Sequence, residues 1–154
     1  MKHRLKAGLL AAVIGFSAQA ADVGNTLPAI QLKDQFGKEQ VLAASAKRLY
    51  FTHDMAGGKL LKAALGDHGQ AILDAQQAVA ITDVSAMPAM VRSIMALPAM
   101  KKRSYRIGVD DTGKLVADIP RQPDQVTVID LEALKIVSVR YAADEKSLKA
   151  MVKP

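Results

Sequence analysis

Apolar and polar residues alternate over Ala29-Ile30-Gln31-Leu32, yield to turn formers at Asp34-Gln35-Phe36-Gly37-Lys38, and resume at Val41-Leu42. A period of two interrupted by a turn predicts a short β-hairpin. Leu49-Tyr50-Phe51 follows as a buried strand. From Gly58 onward Leu60, Leu61, Ala64 and Leu65 share one helical face; Gly66 and Gly69 interrupt it before Ile72 and Leu73, which predicts a bent or two-piece helix. Val79 to Val84 is a short, well-bounded apolar run that predicts a central strand. Pro88 suits the first turn of a helix running to Leu97, where Pro98 is expected to end or kink it. Tyr105 to Val109 is strand-like, with a turn at Asp110-Asp111-Thr112-Gly113. Val126 to Ile129 and Lys135 to Val139 flank a second hairpin, and Asp144 is placed to cap a last helix carrying Leu148 and Val152. Strands alternating with helices predict an α/β sandwich, a central mixed β-sheet flanked by helices.

The first twenty residues stand apart from this pattern. Lys2, Arg4 and Lys6 precede an apolar run from Ala7 to Phe16, and Ala18-Gln19-Ala20 is a small-x-small cleavage signal. The reading is a signal peptide over residues 1–20, cleaved after Ala20, with one domain over 21–154. The apolar run is too short for a spanning helix of roughly 20 residues, so no stable membrane anchor is expected after cleavage, and the destination is periplasmic. Without the leader the excess of Lys and Arg over Asp and Glu falls from six to three, so the basic whole-chain balance carries no nucleic-acid implication. Aromatics are few and tryptophan is absent, which argues against a base-stacking surface. Cysteine is absent as well, and thiol chemistry goes with it.

The order of elements, the opening Leu27-Pro28 with Leu32 and Asp34-Gln35-Phe36-Gly37, and the late Val128-Ile129-Asp130 followed by Lys135-Ile136-Val137 resemble redoxin-type members of the thioredoxin-like fold. The pattern at Met87, Val91, Arg92 and Ser93, with Gly108 to Gly113 and Val126 to Asp130, is similar to the YtfJ-type periplasmic group, which lacks the redox pair. The resemblance implies that the family's Cys-x-x-Cys falls on Ala56-Gly57-Gly58-Lys59. It also implies that the family's cis-proline, six residues before Asp130, falls on Asp124, with Pro123 one residue earlier.

Two readings of the Ala56 to Lys59 stretch follow. Either Gly57 and Gly58 only make a tight strand-to-helix turn with Lys59 in solvent, or the helix start offers amides and a cation to an anionic or peptide ligand. It is not a phosphate-binding P-loop, since Lys59 is followed by Leu60 and the spacing is wrong. His53 and Asp54, adjacent on a strand, are expected on opposite faces, and both His53 and His68 read as surface histidines. Met87, Met90, Met95 and Met100, with Met55, offer thioethers to copper(I), but gap-filling in the core is the favoured reading. Lys101-Lys102-Arg103 reads as a solvated basic loop. The resulting expectation is a non-redox binding protein for a protein or peptide partner, with a surface formed by Met55, Ala56, Gly57, Gly58, Lys59, Pro123 and Asp124. No catalytic residue, metal or cofactor is assigned. A methionine-based copper-handling protein and an enzyme with a non-thiol site are the alternatives.

Overall fold

The computed structural model describes residues 21–153; the expected leader lies outside them. β1 (Ile30–Asp34) and β2 (Glu39–Leu42) form the first hairpin, paired from Ile30 with Leu42 to Lys33 with Glu39. Its turn is closed by Asp34, whose carboxylate accepts the amides of Phe36 and Lys38, both at 2.9 Å, while Gly37 takes the left-handed backbone. β3 (Arg48–Thr52) runs parallel to β4 (Ala78–Asp83), and β4 parallel to β5 (Gly108–Asp110). α1 (Met55–Leu65), a 3-10 turn at Gly66–His68 and α2 (Gly69–Ala75) connect β3 to β4. β6 (Val126–Glu132) and β7 (Lys135–Ala142) form the late hairpin. Its Ala133-Leu134 turn has positive φ at both residues, the geometry that matches strand twist. The sheet order is β2-β1-β5-β4-β3-β6-β7, with β1, β6 and β7 supplying the antiparallel pairs.

Because successive strand residues point to opposite faces, β3 feeds two cores. Leu49 and Phe51 join Ile81, Ile129 and Ile136 on one face, closed by Leu27, Val116 and Ile119 from connecting segments. Tyr50 joins Leu61, Leu65, Leu73 and Leu148 from the helices on the other. The last helix, α5 (Glu145–Val152), is capped as expected, the Asp144 carboxylate accepting the Ser147 amide at 2.8 Å.

Three expectations are corrected. α1 starts at Met55, so Gly57 and Gly58 lie inside its first turns and do not form the strand-to-helix turn. Pro98 does not end its helix: α3 (Ala89–Val91) passes through a π-helical turn at Arg92–Ala96, just ahead of the proline, into α4 (Leu97–Lys101). The Leu97 amide reaches back five residues to the Arg92 carbonyl, and this widened turn takes in a proline that has no amide to offer. Finally, of the methionines read as core fillers only Met100 is buried and Met87 partly so; Met55, Met90 and Met95 are exposed.

Candidate functional site

β3 ends at Thr52, and the chain turns through His53 into the cap of α1. Asp54 holds an extended backbone, and its Oδ1 accepts the Gly57 amide at 2.7 Å. Its Oδ2 accepts the amide of Asp124 at 2.8 Å, so one carboxylate stitches the helix start to the 123–125 loop. Asp124 pays for this approach with a left-handed φ of 62°. Gly57 is required here: a Cβ on it would stand 2.9 Å from the Gln125 carbonyl oxygen and 3.1 Å from Asp54 Oδ1, whereas a Cβ on Gly58 would meet nothing. The structure therefore sets the α1 start, at Asp54 and Gly57, against Asp124 and Gln125. It also occupies the Gly57 amide that the sequence left open to a ligand. Among the described residues, the amides of Met55 and Ala56 have no acceptor. Lys59 is exposed. Arg103, read as part of a solvated run, is instead half-buried and donates to the Gly58 carbonyl at 3.0 Å.

His53 and Asp54 were expected on opposite faces, but the strand stops before them. His53 Nε2 lies 3.5 Å from Asp54 Oδ2, and the imidazole, only partly exposed, stacks along the Phe51 ring. Its Nδ1 is buried without a partner. The Arg121 guanidinium packs over the same Phe51 ring at 4.7 Å and donates to Asp83 Oδ2 at 2.8 Å and to the Val116 carbonyl at 2.8 Å. Burial pushes the Asp83 carboxyl up, but hydrogen bonds from Ser85 and Arg121 outweigh it and hold the group below its ordinary value. The hydroxyls of Thr52 and Thr82 bond each other at 3.0 Å. Among the described residues no hydroxyl bonds the His53 imidazole as a nucleophile would. Arg121 and Asp83 were not singled out by sequence reasoning; 38 residues separate them, and no local signal joins them.

No protein-family model matches the chain, and no curated protein sequence is significantly similar to it. Solved structures do match. A candidate protein disulfide isomerase from Bacteroides thetaiotaomicron superposes with a TM-score of 0.59 at 18% identity, over 85% of this chain and 86% of that one. The peroxidoxin BcpB of Mycobacterium tuberculosis gives 0.57 at 14% identity, over 84% and 92%. The pneumococcal exposed lipoprotein thioredoxin Etrx1 of Streptococcus pneumoniae gives 0.56 at 16% identity, over 81% and 98%. The fold is thioredoxin-like. This thioredoxin-like chain has no cysteine anywhere, so it cannot form the thiolate that thiol–disulfide exchange requires.

Elsewhere in the thioredoxin-like frame, the turn after β5 is organised by Asp110. Its buried carboxylate accepts the amides of Thr112, Gly113, Leu115 and Val116 and the Thr112 hydroxyl, at 2.8 to 3.2 Å. Beside it lies an open groove of about 540 Å³, bounded by Lys33, Glu39, Arg92, Leu97, Asp111 and Leu115. Among the described residues no three histidine or acidic side chains converge as metal ligands would.

Proposed function

We propose that this thioredoxin-like chain is an exported, non-redox binding protein that seats a protein or peptide partner on Met55, Ala56, Gly57, Gly58, Lys59, Pro123 and Asp124. The observation that carries the reading is the double use of the Asp54 carboxylate, which locks the helix start to the 123–125 loop as one preformed surface. Met55 stands on that surface 64% exposed, two free amides lie beside it, and Lys59 is in solvent. Such groups can hold a carboxylate or the edge of a peptide. A preformed surface binds without first losing the entropy of ordering it. Export is supported by the basic-apolar-small series over residues 1–20.

The test is capture of partners from a periplasmic extract by wild type and by Lys59→Glu, followed by identification and reconstitution of the pair from purified components. Lys59→Glu is expected to weaken the reconstituted complex while thermal unfolding stays within about 0.5 kcal/mol of wild type, the usual range for an exposed charge. Unchanged binding by Lys59→Glu and Met55→Asp together places the partner surface elsewhere.

A further inference from the structure

The helix from Ala89 to Lys101 turns its apolar residues outward as well as inward. Ala96, Leu97 and Met100 pack on the core, but Met90 is 71% exposed, Ile94 66%, Met95 64% and Val91 40%. Met90 and Ile94, like Val91 and Met95, are four residues apart, so these residues form a crest along one side of the helix while Ala96, Leu97 and Met100 face the core. A monomer in water gains nothing from such a crest, and contiguous exposed apolar residues mark contact with another phase or molecule.

Charge indicates which. From Val84 to Val109 the chain has no acidic residue, yet it carries Arg92, Lys101, Lys102, Arg103 and Arg106. Arg106 is paired with Asp34, and Arg103 is turned in to the Gly58 carbonyl. Among the described residues Arg92 donates to the carbonyls of Val84 and Asp111 and pairs with no carboxylate, so its charge is uncompensated. Lys101 and Lys102 are exposed at the end of the crest, in no ion pair among the described residues. Asp83 and Asp110 nearby are buried and bonded internally; Asp111 and Glu39 stand across the groove behind the helix.

We propose that this helix face docks reversibly on a bilayer containing anionic lipid. Met90, Val91, Ile94 and Met95 enter the acyl boundary, and Lys101 and Lys102 meet the headgroup phosphates. A protruding crest suits a fluid interface, which deforms around it, whereas a peptide would need a concave seat. The groove behind the helix does not offer one to these residues, since none of the four lines it. No described helix is long and apolar enough to cross a membrane, so the docking is peripheral. This inference is independent of the partner surface at Met55 to Lys59.

The experiment is co-sedimentation of the full-length protein with vesicles of phosphatidylcholine alone or mixed equally with phosphatidylglycerol, at low and high salt. Variants are compared with wild type, so any contribution of residues 1–20 is common to all. Wild type is expected to pellet with the mixed vesicles, far less with phosphatidylcholine, and less as salt rises. Lys101→Gln with Lys102→Gln should lower partitioning roughly 25-fold, about fivefold per lysine, which corresponds to about 1 kcal/mol each. Ile94→Asp with Met95→Ser should reduce it to the phosphatidylcholine level, with circular dichroism and melting as in wild type. Equal pelleting by wild type and both variants, or none by wild type, overturns the proposal. A dimer that forms through the crest without any pelleting also overturns it and assigns the face to a second copy of the chain.

Discussion

Gly57 and Gly58 are adjacent in one helix and chemically identical, yet alanine should have opposite effects at the two positions. In a helix interior alanine is favoured over glycine by about 1 kcal/mol, because less backbone freedom is lost on folding. At Gly58 the new methyl meets no atom within 4 Å, so most of that gain should appear as stability. At Gly57 the methyl would stand 2.9 Å from the Gln125 carbonyl oxygen and 3.1 Å from Asp54 Oδ1, and the nearer of these is backbone that cannot swing aside. Relief requires moving the 123–125 loop off the helix start, which strains the 2.8 Å bond from the Asp124 amide to Asp54. Overpacking of this kind costs about 1–3 kcal/mol. Since the propensity gain is shared, the stability gap between the two variants should equal that cost, with Gly58→Ala above wild type and Gly57→Ala level with it or below. Urea unfolding of wild type and both variants, followed by circular dichroism and fitted with a common slope, measures the gap directly. If the two variants agree within about 0.5 kcal/mol, the close approach of the loop to α1 is wrong, and the preformed surface inferred from it goes too.

The Asp34, Asp83 and Asp130 carboxyls are raised by burial but lowered more by their hydrogen bonds, including those from Arg106, Arg121 and Arg48 respectively, so all three sit below the ordinary value of 3.8. Their contribution is complete above that value and lost as pH falls through the lower folded values; urea midpoints should drop steeply below about pH 4, and less steeply in Asp130→Asn. Ala56→Cys with Lys59→Cys should oxidise within one chain, because residues three apart on a helix have their Cα atoms about 5 Å apart, within the span a disulfide bridges. Mass measurement after alkylation checks it, and two alkylated thiols after oxidant treatment would place these residues off a regular helix.

Much of the fold could be read from local pattern, because strands buried on defined faces impose their period on the sequence. The hairpins at 30–42 and 126–142 and the Asp144 cap are of this kind. The errors lie where a distant contact overrides a local preference. Gly57 reads as a turn because glycine disfavours helix, but it lies inside α1 and is glycine because the Gln125 carbonyl, 68 residues later in the chain, passes too close for a side chain. Pro98 reads as a stop or a kink because its helix is expected to be α throughout, and a π turn ahead of it lets the helix continue. The burial of Met90 and Met95 was misread because Ala89 to Met100 is apolar on nearly every side, so periodicity cannot tell inward from outward. Asp54 as the tether between the α1 start and the 123–125 loop was not legible, because no local pattern joins residues 70 apart.

The sheet order carries a consequence for how the chain comes to be folded. β3 and β4 with α1 and α2 between them form a unit complete by Asp83, but β1 has to wait for β5, and the other edge of β3 stays open until Thr127 to Asp130 arrive. When the chain emerges amino end first, 47 residues separate the arrival of Asp83 from that of Asp130. For that time Leu49, Tyr50 and Phe51 form an apolar strand with one neighbour in place of two, an invitation to pair with another nascent chain. The early hairpin cannot relieve this, since it joins the sheet through β5 and not through β3. That edge is closed only once Thr127 to Asp130 have paired with it, so β6 is the strand whose arrival decides whether β3 pairs within its own chain.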